Sequence, residues 1–288
     1  SAETTIAPAK LKGRGHIEIA RFRPHLLSGF LFSDFPLKIA DSEMDLNVGF
    51  ETKGQGAFQV AIEGSGPKLT VEERNQETVI RGKRFRSAFQ MEGGRIEVSL
   101  GELHLESPRL ILSGKLKIDP NQPLVAVEVQ GKEVEVTSTR EVTLRLAKKI
   151  PVMNTIFDIV REGRIPLITF QSQGRKVSDL DETERLSIKG SVFDGKISIP
   201  VGEPGEGRED FTVVNASGDV VISRGFLEGR NLRAKWKDQQ VQDGKLRVGL
   251  EGADAPFHLE IGVETDLSLL PPLLSRVTED QVLIDEVG

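Results

Sequence analysis

The chain has 288 residues, enough for one large domain or two ordinary ones. Its 44 acidic and 38 basic residues give a net charge of −6, which argues against a protein that binds nucleic-acid backbones. The absence of cysteine excludes disulfides, thiolate metal sites and a cysteine nucleophile. The aromatic residues are 14 Phe, one Trp and no Tyr, a set that favours a purely apolar interior over a sugar-binding surface.

Apolar residues recur at every second position through most of the first half, which predicts successive antiparallel strands. Residues 37 to 62 alternate on both sides of Gly54-Gln55-Gly56, and this pattern predicts a hairpin. The alternation is strictest in residues 93 to 120, as in a sheet that buries one face. There one side has Leu110, Leu112, Leu116 and Ile118, and the other has Arg109, Ser113, Lys115 and Lys117. Residues 125 to 136 predict a further hairpin across Gly131.

The second half repeats the pattern. Asp194-Gly195 and Asp243-Gly244 each stand between two alternating segments, so both predict hairpin turns. In total, the chain predicts roughly 18 to 20 strands of about five to eight residues. A single row of them at about 4.8 Å spacing would extend up to roughly 90 Å. Apolar clusters at residues 24–36 and 267–277 predict short helices or bends.

Residues 138 to 166 depart from this alternation. Pro151 fits the first turn of a helix, Gly163 fits a left-handed cap, and Pro166 follows it. The apolar face would consist of Val152, Ile156, Ile159 and Val160. We therefore predict a helix from about residue 151 to 162.

The segment before this helix supports two interpretations. Ser138 and Glu141 have the spacing of a capping box, which favours a helix. Val142, Leu144 and Leu146 also alternate as the residues of a strand would. The sequence leaves helix and strand open here.

Residues that carry chemistry are sparse. The four histidines, His16, His25, His104 and His258, stand far apart, and none has a second ligand at metal-binding spacing. No glycine-rich phosphate loop precedes a helix, and no nucleophile elbow is present. We expect no metal, no cofactor and no enzymatic activity.

The apolar side of the strands has two possible uses. Two packed sheets would bury it as ordinary core. A single sheet folded lengthwise would instead leave a trough lined by apolar side chains, which suits acyl chains. A buried CH₂ group contributes about 0.8 kcal/mol, so a sixteen-carbon chain in water costs on the order of 12 kcal/mol. The alternation alone does not decide between these uses.

Two motifs resemble a known family. Residues 103–119, LHLESPRLILSGKLKID, resemble the recurring strand pair of the bacterial AsmA-like proteins. Residues 150–163, IPVMNTIFDIVREG, together with the strands from Leu186 to Gly252, resemble the C-terminal region of the large YhdP-type members. The likeness covers most of residues 90 to 252.

This resemblance implies a mainly β protein whose elongated, curved antiparallel sheet forms a groove, with one or two short helices near the middle. We expect groove segments at residues 1–137 and 167–288 and a helical insertion at 138–166. It also implies a periplasmic location, a parent protein with further segments and an inner-membrane anchor outside this sequence, and phospholipid as the partner. Nucleic acid is not an expected partner.

The resemblance implies transport of phospholipid between the inner and outer membranes along the lined groove. The alternative is a ligand-free structural scaffold or interaction module of the cell envelope. The residues expected to face acyl chains are Leu110, Leu112, Leu116, Ile118, Val125, Val127, Ile188, Val192, Ile197, Ile199, Val220, Ile222, Leu246, Val248 and Leu250.

Overall fold

One antiparallel sheet accounts for most of the computed structural model, which describes residues 12–27, 38–54, 56–73, 76–146, 151–180, 182–201, 209–236, 239–250 and 256–264. Its 13 strands follow chain order, so each strand pairs with the next and β1 and β13 form the two edges. The strands are β1 (Gly13–Phe22), β2 (Lys38–Gly54), β3 (Ala57–Glu73), β4 (Gln76–Glu92), β5 (Arg95–Ser107), β6 (Arg109–Asp119), β7 (Leu124–Glu135), β8 (Val160–Gly174), β9 (Ser187–Val201), β10 (Glu209–Ser223), β11 (Phe226–Trp236), β12 (Gln239–Gly249) and β13 (Phe257–Glu264).

Two short helices lie between β7 and β8: α1 (Val136–Leu146) and α2 (Pro151–Ile159). Short 3₁₀ turns occur at Pro24–Leu27, Val177–Asp179 and Thr183–Arg185. The expected fold class, mainly β with a curved antiparallel sheet and two short helices near the middle, is confirmed. Within the described residues, no helix combines the length and the apolar character needed to cross a membrane.

Among the described residues, the strands are fewer and mostly longer than predicted. β2, β3 and β4 each have 17 residues. Gly131, Asp194-Gly195 and Asp243-Gly244, which were predicted as hairpin turns, lie inside β7, β9 and β12. At about 4.8 Å between neighbours, the 13 strands extend over roughly 58 Å.

Four residues inside strands explain this difference. Asp194, Asn215, Asn231 and Asp243 have positive φ angles of 52°, 52°, 54° and 52°, and the pairing register shifts at each of them. Asp and Asn adopt this left-handed conformation more readily than other side chains, in bulges as well as in turns. A β-bulge bends its strand. Bulges at these four residues, which we call the bulge line, therefore bend β9 to β12.

The segment that the sequence left open is a helix, α1. Its N-terminus is capped by Glu135, whose carboxylate accepts hydrogen bonds from the backbone N–H groups of Thr137 (3.1 Å) and Ser138 (2.8 Å). The predicted capping box was wrong, because Glu141 instead forms an ion pair with Arg145 at 3.1 Å.

The predicted second helix begins at Pro151, as expected, and ends at Ile159 rather than near residue 162. Gly163 lies in β8 and is not a helix cap. Its φ is 134°, and an added Cβ would lie 3.0 Å from the Cα of Gly195 in β9. Glycine at this position permits close approach of the two strands. Of the predicted apolar bends, residues 28–36 and 267–277 lie outside the described residues.

Candidate functional site

The pairing register places apolar residues of all the strands on one face of the sheet. Residues directly opposite each other on antiparallel strands point to the same side. The first row, one residue per strand, is Ile17, Val48, Ile62, Ser87, Leu100, Gly114, Val129, Phe170, Ile188, Ile222, Leu227, Val248 and Phe257. The second row is Ile19, Leu46, Gly64, Phe85, Leu103, Leu112, Gly131, Ile168, Gly190, Val220, Gly229, Leu246 and Leu259.

Neither row contains a charged residue, and Ser87 is the one polar residue in them. The opposite face of the sheet carries ion pairs between neighbouring strands. Arg86 Nε lies 3.3 Å from Glu63 Oε1, and Lys115 Nζ lies 2.6 Å from Glu97 Oε1. The sheet therefore has an apolar face, formed by the two rows, and an opposite face with these ion pairs, which we call the charged face.

The two ends of the apolar face differ in exposure. In β1 to β7, every residue of the two rows except Gly64 and Gly131 is partly or fully exposed, and Ile17 reaches 49%. In β9 to β12, Ile188, Ile222, Leu227 and Leu246 are 7%, 1%, 3% and 7% exposed. We call the apolar face over β1 to β7 the open part and the apolar face over β9 to β12 the covered part.

Helix α2 packs over the covered part. Met153, Ile156 and Phe157 pack against a cluster of buried residues on the strands below. The cluster consists of Val136, Ile159, Val160, Ile188, Ile222, Leu227 and Leu246. Of the apolar stripe that the sequence predicted, Ile156 and Ile159 belong to the surface of α2 that packs on the covered part, whereas Val160 lies in β8.

Helix α1 lies along the ends of β4 to β6, beside the open part. At its start, Ser138 Oγ accepts a hydrogen bond from the backbone N–H of Arg109 in β6 at 3.4 Å. At its end, Arg145 donates to the carbonyl oxygen of Glu77 in β4 at 3.3 Å. In between, Arg140 Nε donates to the carbonyl oxygen of Phe157 at 2.8 Å and so joins α1 to α2.

The structure places most of the sequence-predicted residues on the apolar face. In β6 and β7, Leu110 and Val125 are buried, whereas Leu112, Leu116, Ile118 and Val127 are partly exposed. Ile188, Val220, Ile222, Leu246 and Val248 belong to the two rows. Val192 and Ile197 lie on either side of the bulge residue Asp194, and Ile199 is opposite Phe211 in the register. Leu250 follows β12 and packs against the cluster under α2.

Sequence reasoning missed most of the open part. The residues that it omitted on β2 to β5 include Val48, Phe50, Val60, Ile62, Phe89, Val98 and Leu100. Their alternation was visible, so the same parity rule could have found them. What was lacking was the register that joins these strands to β6.

Ionisable groups with shifted pKa values lie off the apolar face. Asp219, on the exposed side of β10, accepts hydrogen bonds from Ser191 Oγ (2.6 Å) and Asn231 Nδ2 (2.9 Å), and these lower its pKa. No group of three potential metal ligands occurs among the residues that the structure describes. The face offers apolar area and little else.

No protein-family model, curated protein or solved structure matches the chain. The resemblance to the AsmA-like proteins therefore stays a prediction from short motifs.

Proposed function

We propose that this chain binds phospholipid acyl chains along its apolar face and conducts them as a segment of a β-groove in the bacterial envelope. The observation that carries the proposal is the continuity of the two rows. They run across all 13 strands without a charged residue, and their open part is accessible to a ligand.

Exposure of the open part favours a ligand over a self-filled core. Soluble monomers rarely expose contiguous apolar patches larger than a few hundred Å², and larger patches usually mark binding surfaces. An acyl chain lying along the rows would cover these side chains and would require no hydrogen-bonding partner. Each CH₂ group removed from water would contribute about 0.8 kcal/mol.

The length of the face favours a path over a pocket. Rows across 13 strands at about 4.8 Å per strand extend over roughly 58 Å. This is about twice the ~30 Å thickness of a bilayer's hydrocarbon core. Several acyl chains could therefore occupy the face one after another, as conduction requires.

The cellular setting belongs to the same proposal. The resemblance to AsmA-like proteins supports a periplasmic location, a parent protein anchored in the inner membrane, and transport of phospholipid between the two membranes.

The covered part favours a second candidate, a ligand-free scaffold of the envelope. Beneath α2, the apolar face meets side chains of its own chain, and Ile222 is only 1% exposed. If the open part were filled in the same way by a partner protein, the sheet would need no lipid.

Native mass spectrometry and lipid extraction of the purified chain distinguish these candidates. We expect the wild-type protein to carry phospholipid. Val98→Glu, which places a charge in the open part, should abolish lipid loading. Ser99→Glu is the matched control, because Ser99 is the next residue of β5, points to the charged face and is also partly exposed.

Circular dichroism of both variants should show unchanged β content. A wild-type protein that carries no lipid and also excludes a fluorescent fatty acid would support the scaffold and contradict the groove. Equal loading of the two variants would show that lipid does not bind at this face.

A further inference from the structure

A small apolar cavity of about 90 Å³ lies beside the bulge line, next to the end of α2. Among the described residues that line it, Ile159 and Val160 come from the junction of α2 and β8. Val192, Val213 and Ala216 come from β9 and β10. No polar atom faces the cavity.

The cavity adjoins the apolar face. Four of its lining residues, Val220, Gly229, Leu246 and Leu259, also belong to the second row. At two glycines of its lining the Leu232 side chain packs directly on the backbone: an added Cβ would lie 2.6 Å from Leu232 Cδ2 at Gly218 and 3.1 Å from the Leu232 side chain at Gly229. Because the cavity shares lining residues with the second row, a ligand on that row could extend one end into the cavity.

We propose that this cavity binds the terminal methyl end of a straight acyl chain, so that it favours chains of a particular length; this rests on the proposed function. An apolar lining excludes a headgroup, because a buried polar group without a partner is costly. An engineered apolar cavity of about 150 Å³ holds benzene. The smaller volume here suits the narrow end of an alkyl chain, and Ile159 with Val160 would stop it.

Two opposite changes of cavity volume test the proposal. Ala216→Leu adds a larger side chain to the lining, and Val213→Ala removes two methyl groups from it. The probes are saturated fatty acids of 12 to about 18 carbons, with affinity measured for each length. Each methylene excluded or admitted should change the affinity by about fourfold. We expect the preferred length to fall in Ala216→Leu and to rise in Val213→Ala.

Ala88→Leu is the control, because Ala88 lies in β4 opposite Ala61 and Ser99 on the charged face. It should leave the preferred length unchanged. A wild-type protein that binds fatty acids with the same length profile as both cavity variants would overturn this inference but not the proposed function. A wild-type protein that binds neither fatty acid nor phospholipid would instead overturn the proposed function.

Xenon provides a measurement that needs no variant. Under xenon pressure, the methyl NMR signals of Ala216 and Val213 should shift, because xenon enters apolar cavities. Unshifted signals would show that the cavity does not accept an apolar guest and would overturn the inference even if Ala216→Leu failed to fold.

Discussion

The backbone N–H of Ser138 donates a 2.8 Å hydrogen bond to the carboxylate of Glu135, where β7 ends and α1 begins. The same carboxylate accepts from the backbone N–H of Thr137. Because the first N–H groups of a helix have no partner within it, these two bonds fix where α1 starts. They thereby help to set where α1 and α2 lie relative to the apolar face.

Glu135→Ala should lower the free energy of unfolding by about 1 kcal/mol at neutral pH, as loss of a helix N-cap does. Urea denaturation followed by circular dichroism measures this change. Glu135→Gln is the control: it keeps an oxygen acceptor and should lose less. Equal losses in the two variants would show that the charge, not the acceptor geometry, stabilises the helix start.

The Glu135 carboxyl also predicts a dependence on pH. Burial alone would raise its pKa, but the hydrogen bonds from Ser138 and Thr137 outweigh burial and hold the pKa below its ordinary value. A group with a lowered pKa stabilises the fold above its unfolded pKa, about 4.3 for Glu. This contribution is lost as the pH falls through the lowered pKa. The stability difference between wild type and Glu135→Gln should therefore shrink between pH 7 and pH 3.

Asn215 tests the bulge line. Its φ of 52° costs a β-branched residue roughly 1 to 2 kcal/mol, whereas glycine adopts it freely. We expect Asn215→Val to destabilise the protein by about that amount and Asn215→Gly to be close to neutral, both by urea unfolding. If valine were tolerated as well as glycine, the bulge would not depend on this residue.

The two parts of the apolar face should respond differently to the same substitution. Ile222 and Ile62 both belong to the first row, but Ile222 is 1% exposed and Ile62 is partly exposed. In lipid-free protein, Ile222→Ala should cost roughly 2 to 5 kcal/mol, as truncations in a core do. Ile62→Ala should cost about 1 kcal/mol or less, because its side chain is only partly removed from water. Similar losses would mean that both positions are core.

Asp219 provides a second titration test. Hydrogen bonds from Ser191 and Asn231 lower its pKa, so its contribution to stability is present above pH 4 or so and declines as the pH falls further. Ser191→Ala should raise the pKa of Asp219 toward its ordinary value. An NMR titration of the Asp219 carboxyl measures both values, and identical titration curves would contradict the assigned cause.

The sequence by itself determined which residues share a face, because side chains alternate along a strand whatever the strand pairs with. The placement of Leu112, Leu116 and Val127 on one apolar face followed from that rule. The amphipathic stripe and Pro151 predicted α2 because the 3.6-residue period of a helix is likewise a local property of the sequence.

Only the tertiary structure decided the rest. Asp194-Gly195 has the same left-handed preference in a hairpin turn and in a bulge, and pairing with both neighbouring strands selects the bulge. Residues 138 to 146 suit a helix or a strand, and Glu135 and the β4 carbonyl of Glu77 favour the helix. Whether an apolar residue such as Ile222 or Ile62 is covered depends on α2 and on strands distant in sequence. Those contacts are non-local, so no local pattern encodes them.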